Sequence, residues 1–177
     1  PYVLDHIASG TTVTDVGSTK REIVASVESH PGRGNYVPTH PMAGTEKTGF
    51  ANSSPKLFVG RKWVVCPHRN NTQEALERIE ELIRFLGAEP CCLEAEIHDQ
   101  QAALVSHLPA ILATASLDFV AEVAPESMVI SGPGFQSFTR LAHDNSEMRE
   151  EFVEKNQGNI RIYLEQWISW LQGRGGS

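Results

Sequence analysis

Two short stretches carry residue types that could do chemistry together. DVGSTK at residues 15–20 follows the β-branched run TTVTDV, and THPMAGTEKTGF at residues 39–50 follows the apolar pair Tyr36 and Val37. A histidine titrates near neutrality, so His40 can take a proton from a substrate hydroxyl without strong tuning. In open parallel sheets ligands bind outside the carboxyl ends of the strands, which makes Asp15, Gly17, Ser18 and Lys20 candidate cofactor contacts. The same residues also fit a tight turn with a capping serine. Were Ser18 and His40 on neighbouring strand ends, a hydrogen bond between them could fix the imidazole ring. The pair does not read as nucleophile and base, because the G-x-S-x-G elbow is missing. Two further candidates lie later in the chain. His107 in SHLPA reads by default as a packing histidine, while Arg140, after GPGFQSF, suits bidentate binding of a carboxylate as well as an ordinary surface ion pair. Glu46 and Lys47 could equally be solvated loop charges. The histidines His30, His40, His68, His98, His107 and His143 have no HExxH spacing, and no metal is expected.

The elements that must position these residues change character along the chain. The run at residues 11–16 reads as a strand, and Gly17 with Ser18 breaks it before a helix over residues 19–28. Tyr36 and Val37 suggest a short strand that delivers His40, weakened or placed at an edge by Pro38. KWVVCP at residues 62–67 is a compact apolar strand. Thr72 can cap a helix whose apolar positions Leu76, Ile79, Leu82, Ile83 and Leu86 recur at helical spacing, with Gly87 as its stop. Strand and helix alternate as far as Cys92, the pattern of a parallel α/β sheet. From Glu94 to Val123 the spacing predicts one long helix, kinked or interrupted near Pro109. SGPGFQSF at residues 131–138 reads as a loop. Asn145 or Ser146 can cap a helix through Lys155, and residues 160–171 form a last amphipathic helix. The reading is thus α/β over residues 1–92 and all-α over residues 93–177. The broad apolar faces of the second half call for a helical dimer interface.

Composition removes several classes of function. Of 177 residues 40% are hydrophobic, enough for a sizeable core. The net charge of −7, with scattered basic residues, argues against nucleic acid or an anionic membrane as partner. No run of eighteen apolar residues suggests a membrane span, and PYVLDHIASG lacks the basic and long apolar parts of a signal peptide. Cys66, Cys91 and Cys92 lack the spacing of a zinc knuckle or a redox CxxC, and they are expected to be buried thiols in a reducing, cytoplasmic setting. The terminal QGRGGS is a natural tail or a cloning scar by composition. G-x-G occurs at Gly32 and Gly34 and at Gly132 and Gly134, but neither continues to a third Gly or Ala, so the dinucleotide fingerprint is missing.

Four blocks in order, VTDVGSTK, HPMAGTEKTGF, HDQQAALVSHLPA and GPGFQSFTRLAHDN, resemble the prephenate and arogenate dehydrogenase family of tyrosine biosynthesis. One block would be a weak signal, but four in this order and spacing are a strong one. The resemblance implies the C-terminal part of a Rossmann-type sheet followed by a helical domain that forms an intertwined homodimer. It implies oxidation of a cyclohexadienol at its ring C4 hydroxyl, hydride transfer to NAD+ or NADP+, and loss of the ring carboxylate as CO2. The product is tyrosine from arogenate or 4-hydroxyphenylpyruvate from prephenate. Carried over residue by residue, the hydroxyl-deprotonating histidine falls on His40 and its supporting serine on Ser18. The carboxylate-binding arginine falls on Arg140, the first histidine of the SHLP block on His107, and an acidic residue near the site entrance on Glu46. Gly44 and Thr45, beside Glu46, complete the expected substrate set.

Two departures qualify the expectation. Members with SHLPH carry a second histidine where this chain has Ala110, and the apolar residue resembles the arogenate-using cyanobacterial type, which makes arogenate the expected substrate. The family's first strand and G-x-G-x-x-G should lie before Pro1, so a fragment or a truncated product with weak cofactor binding is expected. Two other classes stay open on the residues alone: a non-catalytic dimerisation or regulatory module, and a dehydrogenase of a different hydroxy acid.

Overall fold

The computed structural model describes residues 1–44, 49–143 and 145–174. The chain divides into two compact units. One comprises Pro1–Gly44 and Ser53–Asp99, and the other takes the described residues of Thr45–Asn52 and those from Gln100 onward.

The first unit contains α1 (Tyr2–Asp5), β1 (Val13–Thr14), α2 (Arg21–Val27), β2 (Tyr36–Val37), β3 (Thr39–Pro41), β4 (Lys62–Val65), α3 (Gln73–Phe85) and β5 (Glu89–Cys92). The border with the second unit falls inside α4 (Ala95–Ala102). Parallel pairing is present twice: β1 pairs with β2, Val13 opposite Tyr36, and β4 pairs with β5, Val64 opposite Cys91. Between them β3 runs antiparallel to β4 and sets His40 opposite Val64. The change of ladder falls at Pro38, which has no N–H to give; its carbonyl accepts instead from the Cys66 amide at 2.8 Å.

Helix α3 starts where Thr72 accepts from the Ala75 amide at 3.1 Å and ends before Gly87, whose φ of +78° is costly for any side chain. Its buried stripe is Ala75, Ile79 and Ile83, packed with Val37, Trp63, Val65 and Ala88 into the core of this unit. Leu82, expected on that stripe, is exposed. A separate small cluster joins Leu4, Val27 and Tyr36. The loop before β2 is clamped by Asn71, whose amide donates to the carbonyls of Gly34 at 3.0 Å and Tyr36 at 2.9 Å. A Cβ on Gly34 would lie 2.5 Å from the Asn70 carbonyl oxygen, so backbone rather than a movable side chain would have to shift. Gly34→Ala is therefore expected to cost about 1–3 kcal/mol of stability, the range for overpacking. Denaturant unfolding checks this, and an unchanged midpoint would refute it.

In the second unit the long helix is interrupted just before Pro109, as expected, by a change of helical type and not by a kink. Residues Ala103–His107 form a π-helical turn in which the Leu108 amide donates to the Ala103 carbonyl, and Pro109 then sits in the first turn of α5 (Leu108–Val123), where its missing N–H is harmless. The run Ala95–Val123 is long and apolar enough to cross a membrane by length and composition alone. Core helices of helical domains pass the same test, and Ala103, Leu108 and Ala113 of this run are buried in the fold. The expected loop at residues 131–138 is corrected to a helix, α6 (Pro133–Thr139). Proline is a good first residue of a helix, so Gly-Pro-Gly here begins an element instead of breaking one. Helix α7 (Ser146–Lys155) is capped by Asn145, which accepts from the Glu147 amide at 2.9 Å, and α8 (Gln157–Arg174) follows. Ala103, Ala110, Phe152 and Ile160 form the core of this unit.

Candidate functional site

The turn after β1 is organised by one carboxylate. Asp15 Oδ2 accepts from the Gly17 amide at 3.0 Å and from the Lys20 ammonium, while Oδ1 accepts from the Tyr36 hydroxyl at 2.8 Å and the Thr39 amide at 3.2 Å. The Lys20 side chain has no exposed surface. Asp15 and Lys20 thus pair their charges with each other, and Asp15 also accepts from the backbone. Burial, with Asp15 beside it, pushes the Tyr36 phenol upward. Ser18 is half-buried, and its hydroxyl makes no hydrogen bond to any described residue. The expected Ser18–His40 hydrogen bond is not formed; Nδ1 of His40 faces Nε2 of His98 instead.

His40 is held from a different direction. Its ring is 8% exposed on β3, next to Thr39, whose hydroxyl accepts from the Trp63 indole at 2.9 Å and donates to the Asp15 carbonyl at 2.6 Å. Nδ1 of His40 lies 2.9 Å from Nε2 of His98, with the rings edge-on at 76° and 5.1 Å between centroids. Nδ1 of His98 lies 2.8 Å from Asp99 Oδ1. Asp99, 1% exposed, also accepts from the Lys20 amide at 2.8 Å and the Arg21 amide at 2.9 Å. Burial would raise the Asp99 carboxyl, but the donors on His98 and on the Arg21 and Lys20 backbones outweigh it and hold it below the usual carboxylate range.

The remaining expected residues divide sharply. Arg140 follows α6, is exposed, and forms no ion pair among the described residues. His107 is 1% exposed, stacks on Phe152 at 4.2 Å, and has Nδ1 3.1 Å from the Asn156 amide nitrogen. Gly44 is exposed, and a Cβ there would meet nothing within 4 Å. Thr45, Glu46 and Lys47 lie outside the described residues. Among the thiols only Cys66 is buried, which pushes it up to about 12, whereas Cys92 is exposed. No group of described residues has the arrangement of a metal site.

His98 and Asp99 are the residues that sequence reasoning missed. Their signal was present as an adjacent His-Asp pair inside HDQQAALVSHLPA, but a histidine at the start of an apolar helix carries no mark of its partner. That partner lies 58 residues away on β3.

Comparison with known proteins agrees with this fold. Residues 2–91 match the family described as prephenate dehydrogenase, nucleotide-binding domain, and residues 94–173 match prephenate dehydrogenase, dimerization domain. The prephenate dehydrogenase of Bacillus subtilis is 28% identical over 160 residues, covering 88% of this chain and 43% of that protein. The cyclohexadienyl dehydrogenase of Zymomonas mobilis is 26% identical over 164 residues, covering 90% and 56%. Among solved structures, the A. aeolicus prephenate dehydrogenase in complex with hydroxyphenyl propionate and NAD+ shares the fold with a TM-score of 0.87 at 29% identity, covering 97% of this chain and 60% of that one. The chain spans about half the length of the curated relatives it matches. A sheet-bearing unit with a buried histidine and a helical unit after it in the chain, matched in turn by the two prephenate dehydrogenase domain families, place this chain in the prephenate dehydrogenase family.

Proposed function

We propose that the protein containing this chain catalyses the oxidative decarboxylation of arogenate or prephenate with NAD+ or NADP+ as acceptor. The observation that carries the reading is His40: a buried imidazole gripped through Nδ1, in a chain matched along both halves by this family. In this reading His40 Nε2 takes the proton of the ring hydroxyl as the C–H bond at the same carbon breaks, and loss of CO2 completes an aromatic ring. A nicotinamide cofactor, when bound, supplies the hydride acceptor. Of the turn expected to meet it, Ser18 fits best, because its hydroxyl makes no hydrogen bond to a described residue while Asp15 and Lys20 are committed to each other. Arg140, exposed and without an ion pair among the described residues, suits a substrate carboxylate.

Residues 1–92 then serve the cofactor side, and residues 93–177 bind substrate and pair two copies. Exposed Phe119, Ile130, Phe138, Trp167 and Trp170 support a homodimer through the helical half. Ala110, where members with SHLPH carry a second histidine, is buried, and its resemblance to the arogenate-using type supports arogenate. The three free thiols suit a reducing, cytoplasmic compartment.

The test is an assay of the complete gene product, following reduction of NAD+ and NADP+ with arogenate and with prephenate. Turnover with at least one pairing is expected, arogenate being the better substrate. No reduction with any of the four pairings, in a protein shown to be folded, would reject the reading in favour of a non-catalytic dimerisation module.

A further inference from the structure

His40, His98 and Asp99 form a line of three side chains, 8%, 2% and 1% exposed, that ends on backbone amides. The direction of every hydrogen bond in it follows from its far end. An ionised carboxylate only accepts. Asp99 is held ionised by three donors, the His98 imidazole and the amides of Lys20 and Arg21. His98 therefore carries its proton on Nδ1. A neutral imidazole with Nδ1–H has its lone pair on Nε2, so that nitrogen accepts. The group facing it at 2.9 Å is Nδ1 of His40, which donates when His98 is neutral. The remaining lone pair of His40 is then on Nε2.

We propose that His98 and Asp99 are positioning residues that fix His40 in its Nδ1–H tautomer, so that Nε2 is the proton acceptor of the reaction. The inference rests on the reading of His40 as the base for its catalytic consequence, but not for its structural content. Asp99 is ordered independently of His40, through the first amides of the α2 region, and transmits that order across His98. As His40 gains a proton on Nε2, the positive charge is spread toward His98 and stabilised by the Asp99 carboxylate. This is the role of a carboxylate behind a catalytic imidazole. The Lys20 ammonium does not compete for Asp99, since it is paired with Asp15.

The experiment uses the complete gene product. Nitrogen NMR of the histidine imidazoles is expected to show a pyridine-like Nε2 and a pyrrole-like Nδ1 on His40 in the unmodified protein. The opposite assignment overturns the relay whatever the mutants do. In steady-state kinetics His98→Leu, which removes the acceptor, is expected to lower kcat roughly 10²-fold with KM nearly unchanged. His98→Gln keeps an acceptor oxygen for the Nδ1–H and should recover most of that loss. On a His40→Asn background His98→Leu should cost little more, since the relay acts through His40. A full additional loss on that background, or a Gln variant as damaged as Leu, overturns the proposal. If His40→Asn itself turned over normally, the base reading would fail, while the imidazole NMR would still decide the tautomer.

Discussion

His40→Asn is expected to lower kcat by roughly 10³-fold while leaving substrate affinity within a few-fold of the original, in the range that general-base catalysis contributes. Asparagine is polar and of similar size, and its amide NH2 can still donate toward His98, so the local packing on β3 should survive. What it lacks is a nitrogen lone pair basic enough to accept a hydroxyl proton near neutral pH. The ring hydroxyl would then lose its proton to water, without the positional advantage of a fixed base. Steady-state kinetics with both candidate substrates, alongside direct binding of a product-like phenol, separates the two effects. Turnover within tenfold of the unmodified protein would remove His40 from the base role. A KM raised in proportion to the loss of kcat would show a binding residue instead.

The second large effect concerns stability. Asp15→Ala should destabilise the fold by about 3–5 kcal/mol, because it leaves a buried ammonium without its counter-charge. Lys20 has no exposed surface through which water could replace the carboxylate. The same substitution strips acceptors from the Tyr36 hydroxyl and from the Gly17 and Thr39 amides. Thr39 precedes His40, so the loss would reach the base through the start of β3. A double variant, Asp15→Asn with Lys20→Met, removes both charges together and should recover much of the stability. Denaturant unfolding of the two proteins decides the matter. A cost below about 1 kcal/mol for Asp15→Ala would mean that the pair is solvated in solution, as exposed pairs are.

Much of the frame was visible in local pattern. Thr72 as cap and Gly87 as stop bound α3, and Asn145 opens α7, because capping needs only neighbours three or four residues apart. The turn from strand to helix around Gly17 and Ser18 was legible for the same reason. Local pattern misread Gly-Pro-Gly at residues 132–134 as a loop, since the same residues that break a helix inside it also begin one. It did mark an interruption of the long helix near Pro109, which the structure makes as a π turn over Ala103–His107.

Motif resemblance reached further and marked His40 and Arg140 as residues to examine. It could not tell that Lys20 would be sealed against Asp15, that His107 would stack on Phe152, or that His40 would take its partner from α4 instead of from Ser18. These outcomes depend on which strands share a ladder and which side chains lose their water, and both are properties of contacts between residues tens of positions apart. Composition and spacing set which residues could do acid–base chemistry. The pairing of β3 with β4, and the burial of Asp99 against two backbone amides, set what faces Nδ1 of His40, because a tautomer is chosen by the neighbours around a ring and not by the residues beside it in the chain.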